Sequence, residues 1–333
     1  IGGKKKIVIK DCFGTYKPKH LKDGKIMWNI VVGPPGTGKT TFLLKKTEEL
    51  IEEGYAPEKI GYLAFTRKAA NEALGRATQK FDLDTDDLPY FRTIHSLCYQ
   101  SLKLGKADVM AGNNFRELGE VLGEKLSGSW NMLEGALRVT TTADKMLFLE
   151  NTGRNQCLDH ETQYNKTNPD FSWMHYDWFC RSYKKYKDTN FLLDYTDMLE
   201  KFIELTTIPK LDVLIVDEAQ DLSALQWKCV TKLAEEVEHV YIAGDDDQAI
   251  FKWAGADVET FIQLEGEVTV LENSYRIPKK VHEIAQGILN RIPTKNRRVK
   301  SWNPRSVEGE VLIHTSHEHL DFSEGEWLVL ARN

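Results

Sequence analysis

Short apolar runs alternate along the chain with stretches whose apolar positions recur at helical spacing. The runs at 26–32 and 60–65 predict buried strands, and the stretches at 40–53 and 68–79 predict helices, with Gly54 closing the first. The alternation resumes with a strand at 212–216, a helix at 223–236, and strands at 239–243 and 268–271. Buried strands alternating with helices in this order predict a doubly wound α/β sheet. Between about 103 and 190 the alternation stops. That stretch reads as helical and polar, with turns expected at Gly112, Gly123, Gly128 and Gly153, and is taken as a helical subdomain inserted between strands. After Tyr275 the pattern predicts a helix at about 278–290, a basic loop, and strands at 310–314 and 327–331. This reads as the start of a second α/β domain. The expected division is 1–102 with 191–275, then 103–190, then 276–333.

Between the first strand and the first helix stands Gly33-Pro34-Pro35-Gly36-Thr37-Gly38-Lys39-Thr40, a G-x-x-x-x-G-K-[ST] phosphate loop. Gly33, Gly36 and Gly38 let the backbone curl so that successive N–H groups, Thr37 among them, face phosphate oxygens. Lys39 is placed to reach the β- and γ-phosphates, and the Thr40 hydroxyl to hold Mg²⁺. The following helix turns its N-terminal dipole toward the same anion.

Asp217-Glu218 follows the apolar run Val213 to Val216, 178 residues after Lys39. A strand that ends there sets two carboxylates at the carboxyl edge of a parallel sheet, where ligands bind. Asp217 is the candidate metal ligand. Glu218 is the candidate to orient or deprotonate an attacking water. Alone, such a pair is usually a solvated helix start; with the phosphate loop it reads as the second half of an ATP–Mg²⁺ site.

Composition narrows the class. A length of 333 residues suggests two domains, and a hydrophobic content of 41% is ample for a core. The net charge of −6 argues against binding nucleic acid by charge alone. Residues 1–25 hold eight Lys against two Asp, and 291–305 hold six Lys/Arg and no acid. Such runs are usually solvated faces. The five Cys show no C-x-x-C spacing, so neither zinc nor a disulfide framework is indicated. With no membrane-length apolar run and no signal peptide visible, a cytoplasmic, reduced chain is expected.

Further segments follow in a set order: Ala64-Phe65-Thr66-Arg67-Lys68-Ala69-Ala70, Thr93-Ile94-His95-Ser96, Gly244-Asp245-Asp246-Asp247-Gln248-Ala249-Ile250-Phe251-Lys252-Trp253, and Asn273-Ser274-Tyr275-Arg276. In this order and spacing the set resembles the UvrD/Rep family of superfamily 1 DNA helicases, over roughly 26–100 and 191–290. The phosphate loop alone also occurs in AAA+ ATPases, which usually place the acidic pair closer and lack the Gly-Asp-Asp-Asp-Gln block. The resemblance implies a RecA-like P-loop NTPase sheet and an ATP-driven motor, expected to move 3′ to 5′ on single-stranded DNA and to act at junctions of single and double strand. It implies catalytic roles for Lys39, Glu218, Gln248 and Arg276, with Gln248 near the γ-phosphate and Arg276 as an arginine finger. Tyr275 would stack on adenine. Phe65, Thr66, Arg67, Thr93 and His95 would line the strand's path, and Phe251 and Trp253 would offer faces to bases. Phe251 and Trp253 are two apart, so on a strand they share a face, which suits a core role as well.

The insertion carries Tyr176, Phe179, Tyr183 and Tyr186 at helical spacing, with Lys184, Lys185 and Lys187 beside the last two. An amphipathic helix that buries its aromatics is favoured over a duplex-binding face. Several features depart from the family. No Leu-Asn-x-x-Gln segment precedes the phosphate loop, Thr41 stands where an Arg often flanks the base, and Ala254 stands where Arg is usual. The chain opens on Ile1, and the family's later segments, including a second arginine finger, would lie beyond Asn333. A fragment, or a partial machine needing a partner, is therefore expected. A nucleotide-gated DNA-binding module without unwinding and an RNA-directed motor remain as other readings.

Overall fold

The computed structural model describes residues 21–22, 25–127, 139–313 and 323. β1 (Leu21–Lys22) and β2 (Lys25–Ile26) form a short antiparallel pair. The main sheet has six parallel strands: β3 (Trp28–Val32), β4 (Ile60–Ala64), β5 (Phe91–Thr93), β6 (Val213–Asp217), β7 (His239–Gly244) and β8 (Gly266–Val270). Their spatial order is β5-β4-β6-β7-β3-β8. Every residue of β4 and β6 is buried, as expected for strands covered on both faces.

Helices cover both faces. On one, α1 (Lys39–Glu52) and α2 (Arg67–Phe81) bury Leu43, Leu44, Leu50, Ala70, Ala73 and Ala77 against Val31, Tyr62 and Ile215. On the other, α3 (Ile94–Ser101), α8 (Tyr195–Glu204), α9 (Ala224–Ala234) and α10 (Val258–Gln263) pack Leu97, Phe202, Val230 and Phe261 against Ile30, Leu214 and Ile242. The predicted strands and helices of this layer agree with the observed bounds to within two residues. β5 was not expected. At three residues it is too short to show a period.

Helices α4 (Gly112–Leu122), α5 (Thr142–Asn155), α6 (His160–Thr167) and α7 (Trp173–Asn190) occupy the stretch where the alternation stops. α4, α5 and α7 share a separate core of Phe115, Leu118, Met146, Tyr176, Phe179 and Tyr183. Tyr186 is buried with them, so the aromatic stripe faces inward as favoured. Arg154 of α5 and Lys187 of α7 pair with Asp194 and Asp197 at the start of α8, fastening these helices to the sheet layer. Two expected turns are helical instead. Gly112 opens α4, and Gly153 lies inside α5, where a Cβ would fall 2.9 Å from Gln163 Cγ of α6. Gly123 does end α4 in a left-handed conformation, and Gly128 lies outside the described residues.

α11 (Lys279–Leu289) follows the sheet as predicted. Residues 310–313 form no strand; they are exposed or half-exposed, so nothing apolar holds them in a ladder. The strand expected at 327–331, like most of the basic stretch 1–25, lies outside the described residues. No helix among the described residues is long and apolar enough to cross a membrane.

Candidate functional site

The parallel register brings the carboxyl ends of β3, β7 and β6 to one edge, with Val32 opposite Gly244 and Val216 opposite Ile242. The chain after β3 turns through the phosphate loop with positive φ at Gly36 (73°) and Gly38 (85°). At Gly36 a Cβ would also fall 2.3 Å from Arg276 Cβ, so glycine is required both by conformation and by close approach. The Thr37 hydroxyl donates to the Pro34 carbonyl and braces the loop. Lys39 is buried; its ammonium donates to the Gly33 carbonyl at 3.1 Å and lies 3.5 Å from Glu218 Oε2.

β6 delivers Asp217 directly beside α1. The Thr40 hydroxyl donates to Asp217 Oδ2 at 2.8 Å, and Tyr62 Oη donates to the same oxygen at 2.8 Å. Burial, with Glu218 adding, holds the Asp217 carboxyl above its ordinary range against these bonds. A hydroxyl and a carboxylate at this separation are hard oxygen donors of the kind Mg²⁺ takes, so the pair fits that ion.

Glu218 has φ 54°, a left-handed conformation uncommon for a residue with a side chain. Gln220 Nε2 donates to Glu218 Oε2 at 2.9 Å, and Gln220 Oε1 accepts from the Asp245 amide at 2.9 Å. Asp245 Oδ2 in turn accepts from Gln248 Nε2 at 2.6 Å. A hydrogen-bonded chain thus runs from Glu218 to Gln248, through a glutamine whose role the sequence did not signal. Its neighbour Asp221 is buried, its Oδ1 has no partner among the described residues, and burial followed by Glu218 raises its carboxyl to about 7.

The segment after β8 docks on the phosphate loop. Ser274 Oγ donates to the Pro35 carbonyl at 2.6 Å, and the Tyr275 amide donates to Gly36 O at 2.9 Å. Both Tyr275 and Arg276 expose their side chains beside the loop. At Thr41, Arg76 of α2 donates to Oγ1 at 2.7 Å, so a guanidinium reaches this position from a neighbouring helix.

Of the predicted nucleic-acid residues, five line two neighbouring hollows, and Thr66 and Trp253 lie outside both. Phe65, His95 and Phe251 line one small cavity of about 70 Å³, with Phe65 and Phe251 rings 5.5 Å apart. Arg67, Thr93 and His95 line an adjoining groove of about 700 Å³ that also takes in Arg92, Tyr99 and Lys106. Arg92 was missed by sequence reasoning, and its Nε has no partner among the described residues. The Thr66 and Thr93 hydroxyls accept from Ala69 and Ser96 amides and so cap α2 and α3. His95 is half-buried against Tyr195; burial, with Arg67 adding, lowers its imidazole to about 4.

Trp253 does not share a face with Phe251. Residues 252–254 form a 3₁₀ turn, not a strand, and the Phe251 ring lies against Phe65. Trp253 stacks instead on Phe148 of α5, with centroids 6.3 Å apart, and keeps 48% of its surface exposed.

Residues 25–269 match the family model described as UvrD/REP helicase N-terminal domain. The chain belongs to the UvrD/REP helicase family. It is similar to ATP-dependent DNA helicase PcrA of Bacillus subtilis, at 25% identity over 90% of this chain and 42% of PcrA. A probable DNA helicase of Mycoplasma pneumoniae is 25% identical over 90% of this chain and 60% of its own length. ATP-dependent DNA helicase Rep of Buchnera aphidicola is 22% identical over 78% of this chain and 40% of Rep. The chain therefore spans about half the length of these relatives. In this UvrD/REP family member the basic run 291–305 is only partly a solvated face: Arg291, Lys295 and Arg305 are exposed, but Arg297, Arg298 and Lys300 are not. Arg297 and Lys300 turn their side chains onto the Asp245-Asp246-Asp247 block, and the Arg298 backbone amide donates to Asp246.

Proposed function

We propose that this chain is the ATP-hydrolysing part of a DNA helicase that moves 3′ to 5′ on single-stranded DNA and works at junctions of single and double strand. The observation that carries the reading is the convergence of Lys39, Thr40, Asp217 and Glu218 at one sheet edge, with Thr40 and Asp217 joined at 2.8 Å. Lys39 holds the β- and γ-phosphates, and Tyr275 stacks on the base beside Thr41. Thr40 and Asp217 would hold Mg²⁺, which when bound neutralises phosphate charge. Glu218 orients the attacking water and accepts its proton, Gln248 senses the γ-phosphate, and Arg276 stabilises the charge that develops on transfer.

DNA is taken along the groove that includes Arg67, Thr93 and His95, with Thr66 at its rim. Bases meet Phe65, Phe251 and Trp253. Phosphate contacts give affinity and aromatic faces accept any base, which suits a motor that must pass every sequence. The division into a sheet domain (1–102 with 191–275), an inserted helical subdomain (103–190) and the start of a second RecA-like domain (276–333) is part of this proposal. Its test is ATP turnover with and without single-stranded DNA, together with strand displacement on duplexes carrying a 3′ or a 5′ tail. Turnover stimulated by DNA, with displacement from the 3′ tail only, is expected. Displacement from the 5′ tail overturns the polarity, and turnover indifferent to DNA overturns the motor.

A further inference from the structure

Three consecutive carboxylates, Asp245, Asp246 and Asp247, carry oxygens within 4.8 Å of one another. Like charges so close repel strongly where water is excluded. Here one ammonium touches all three, and Arg297 adds a second cation at Asp247. Lys300 Nζ lies 2.7 Å from Asp245 Oδ1, 2.8 Å from Asp246 Oδ1 and 2.7 Å from Asp247 Oδ2, and its side chain is 1% exposed. Burial opposes the charge on Lys300, but Asp245 and then Asp246 outweigh it and hold the ammonium above its ordinary range.

The neighbours of Lys300 fasten the same segment. Arg297 pairs with Asp247 at 2.7 Å. The Arg298 amide donates to Asp246 Oδ2, and its guanidinium donates to the Phe261 and Leu264 carbonyls at the end of α10. The stretch after α11 is therefore locked to the loop after β7.

Asp245 divides its carboxylate among three partners, one of them the Asp247 amide, which donates to Oδ1 at 3.2 Å. Oδ1 meets Lys300, and Oδ2 accepts from Gln248 Nε2 at 2.6 Å. The backbone amide of Asp245 is held by Gln220, which also holds Glu218. Loss of the ammonium would leave Arg297, on Asp247, as the cation of the cluster. Asp245 and Asp246 would then repel without a shared counter-charge, and Asp245 would be held on its Oδ1 side only by the Asp247 amide, loosening the orientation that fixes Gln248.

We propose that Lys300 is a positioning residue for ATP hydrolysis: by clamping Asp245 it sets Gln248 at the phosphate site and makes that glutamine move with the segment after α11. The inference rests on the ATPase reading above. A lysine outside the sheet layer thus becomes the link through which displacement of the following segment is felt at Gln248.

The test is Lys300→Met in the whole protein that carries this chain, with Lys295→Met, an exposed lysine outside the cluster, as control. DNA-stimulated ATP turnover and binding of a non-hydrolysable ATP analogue are measured side by side. Expected is a fall in kcat of about tenfold or more with KM and analogue affinity within about twofold, because an interaction that acts only on the reacting state lowers kcat without changing binding. If Lys300→Met does not fold, Lys300→Arg, which keeps the charge but displaces it, should show the same split. A folded variant with kcat within about twofold of the parent overturns the proposal. So does a fall in kcat matched by an equal loss of analogue binding, which would make Lys300 a general stabiliser of the loop. Turnover absent from the unaltered protein overturns both readings; turnover equal in parent and variant overturns this one alone.

Discussion

The ring of Phe148, on helix α5, stacks on Trp253 with centroids 6.3 Å apart and planes inclined by 28°. One face of the indole is thus supported from the stretch 103–190, while about half of its surface stays open. A platform held from behind loses less freedom when a base settles on it. Trp253→Ala should weaken single-strand binding by about 1–3 kcal/mol, with little dependence on base sequence. Phe148→Ala should weaken it less and in the same sequence-independent way, since it removes only the support. Fluorescence titration with oligonucleotides of different composition checks both. Unchanged affinity in a folded Trp253→Ala protein would return this ring to a purely structural role.

At the phosphate site, binding and turnover should separate. Lys39→Ala removes the ammonium that sits between the Gly33 carbonyl and Glu218, and should abolish most triphosphate affinity. Glu218→Gln keeps an oxygen to accept from Gln220 Nε2, so the loop geometry survives, but the carboxylate's basicity is gone. Nucleotide binding should persist with turnover reduced by about 10²-fold or more, the lower range for loss of a general base. Measuring the two on the same preparation decides. Normal hydrolysis by Glu218→Gln would remove it from the reaction.

The parts legible in the sequence were those whose chemistry lies within one contiguous segment. The phosphate loop, the strand before it and the helix after it can be read from Gly33 to Thr40 because each residue answers to a local need. The stripe Tyr176, Phe179, Tyr183 and Tyr186 shows its buried face by spacing alone. What failed was pairing across distance. Arg297 and Lys300 read as solvated because a charge run gives no sign of a carboxylate trio some fifty positions earlier. Gln220 carries no motif weight until Glu218 and Asp245 are seen on either side of it. Phe251 and Trp253 would share a face only on a strand, and the 3₁₀ turn at 252–254 gives them different neighbours.

His95 should act as a neutral ring. Burial and Arg67 lower its pKa from 6.5 to about 4. The unfolded chain would take up this proton first as pH falls. The contribution of His95 to stability is therefore full above about pH 6.5 and is lost as pH drops toward 4. Any change in DNA affinity between pH 8 and pH 6 should accordingly be the same in His95→Gln as in the parent. An NMR titration of the imidazole is the direct check. A midpoint at or above 6.5 would mean that His95 reaches DNA as a cation and would contradict the buried setting.

Ser274 should govern how Tyr275 and Arg276 are presented. Its hydroxyl is nearly inaccessible, donates to the Pro35 carbonyl at 2.6 Å, and accepts from the amides of Arg276 and Ile277 at 3.3 and 3.1 Å. One atom thus ties the turn after β8 to the phosphate loop. Ser274→Ala leaves these groups unmatched in a buried place, at a cost of about 1–3 kcal/mol. The Tyr275 amide would still meet Gly36 O, so the segment should loosen without detaching. Two consequences follow from the two side chains it carries. Nucleotide affinity should fall modestly because Tyr275 is less well placed to stack, and kcat should fall further because a guanidinium helps transfer only when it is positioned before the charge develops. Amide exchange at 274–277 should quicken in the same variant. If exchange quickens while kcat and affinity hold, Arg276 and Tyr275 act from elsewhere than this turn, and their assignment to the ATP site fails.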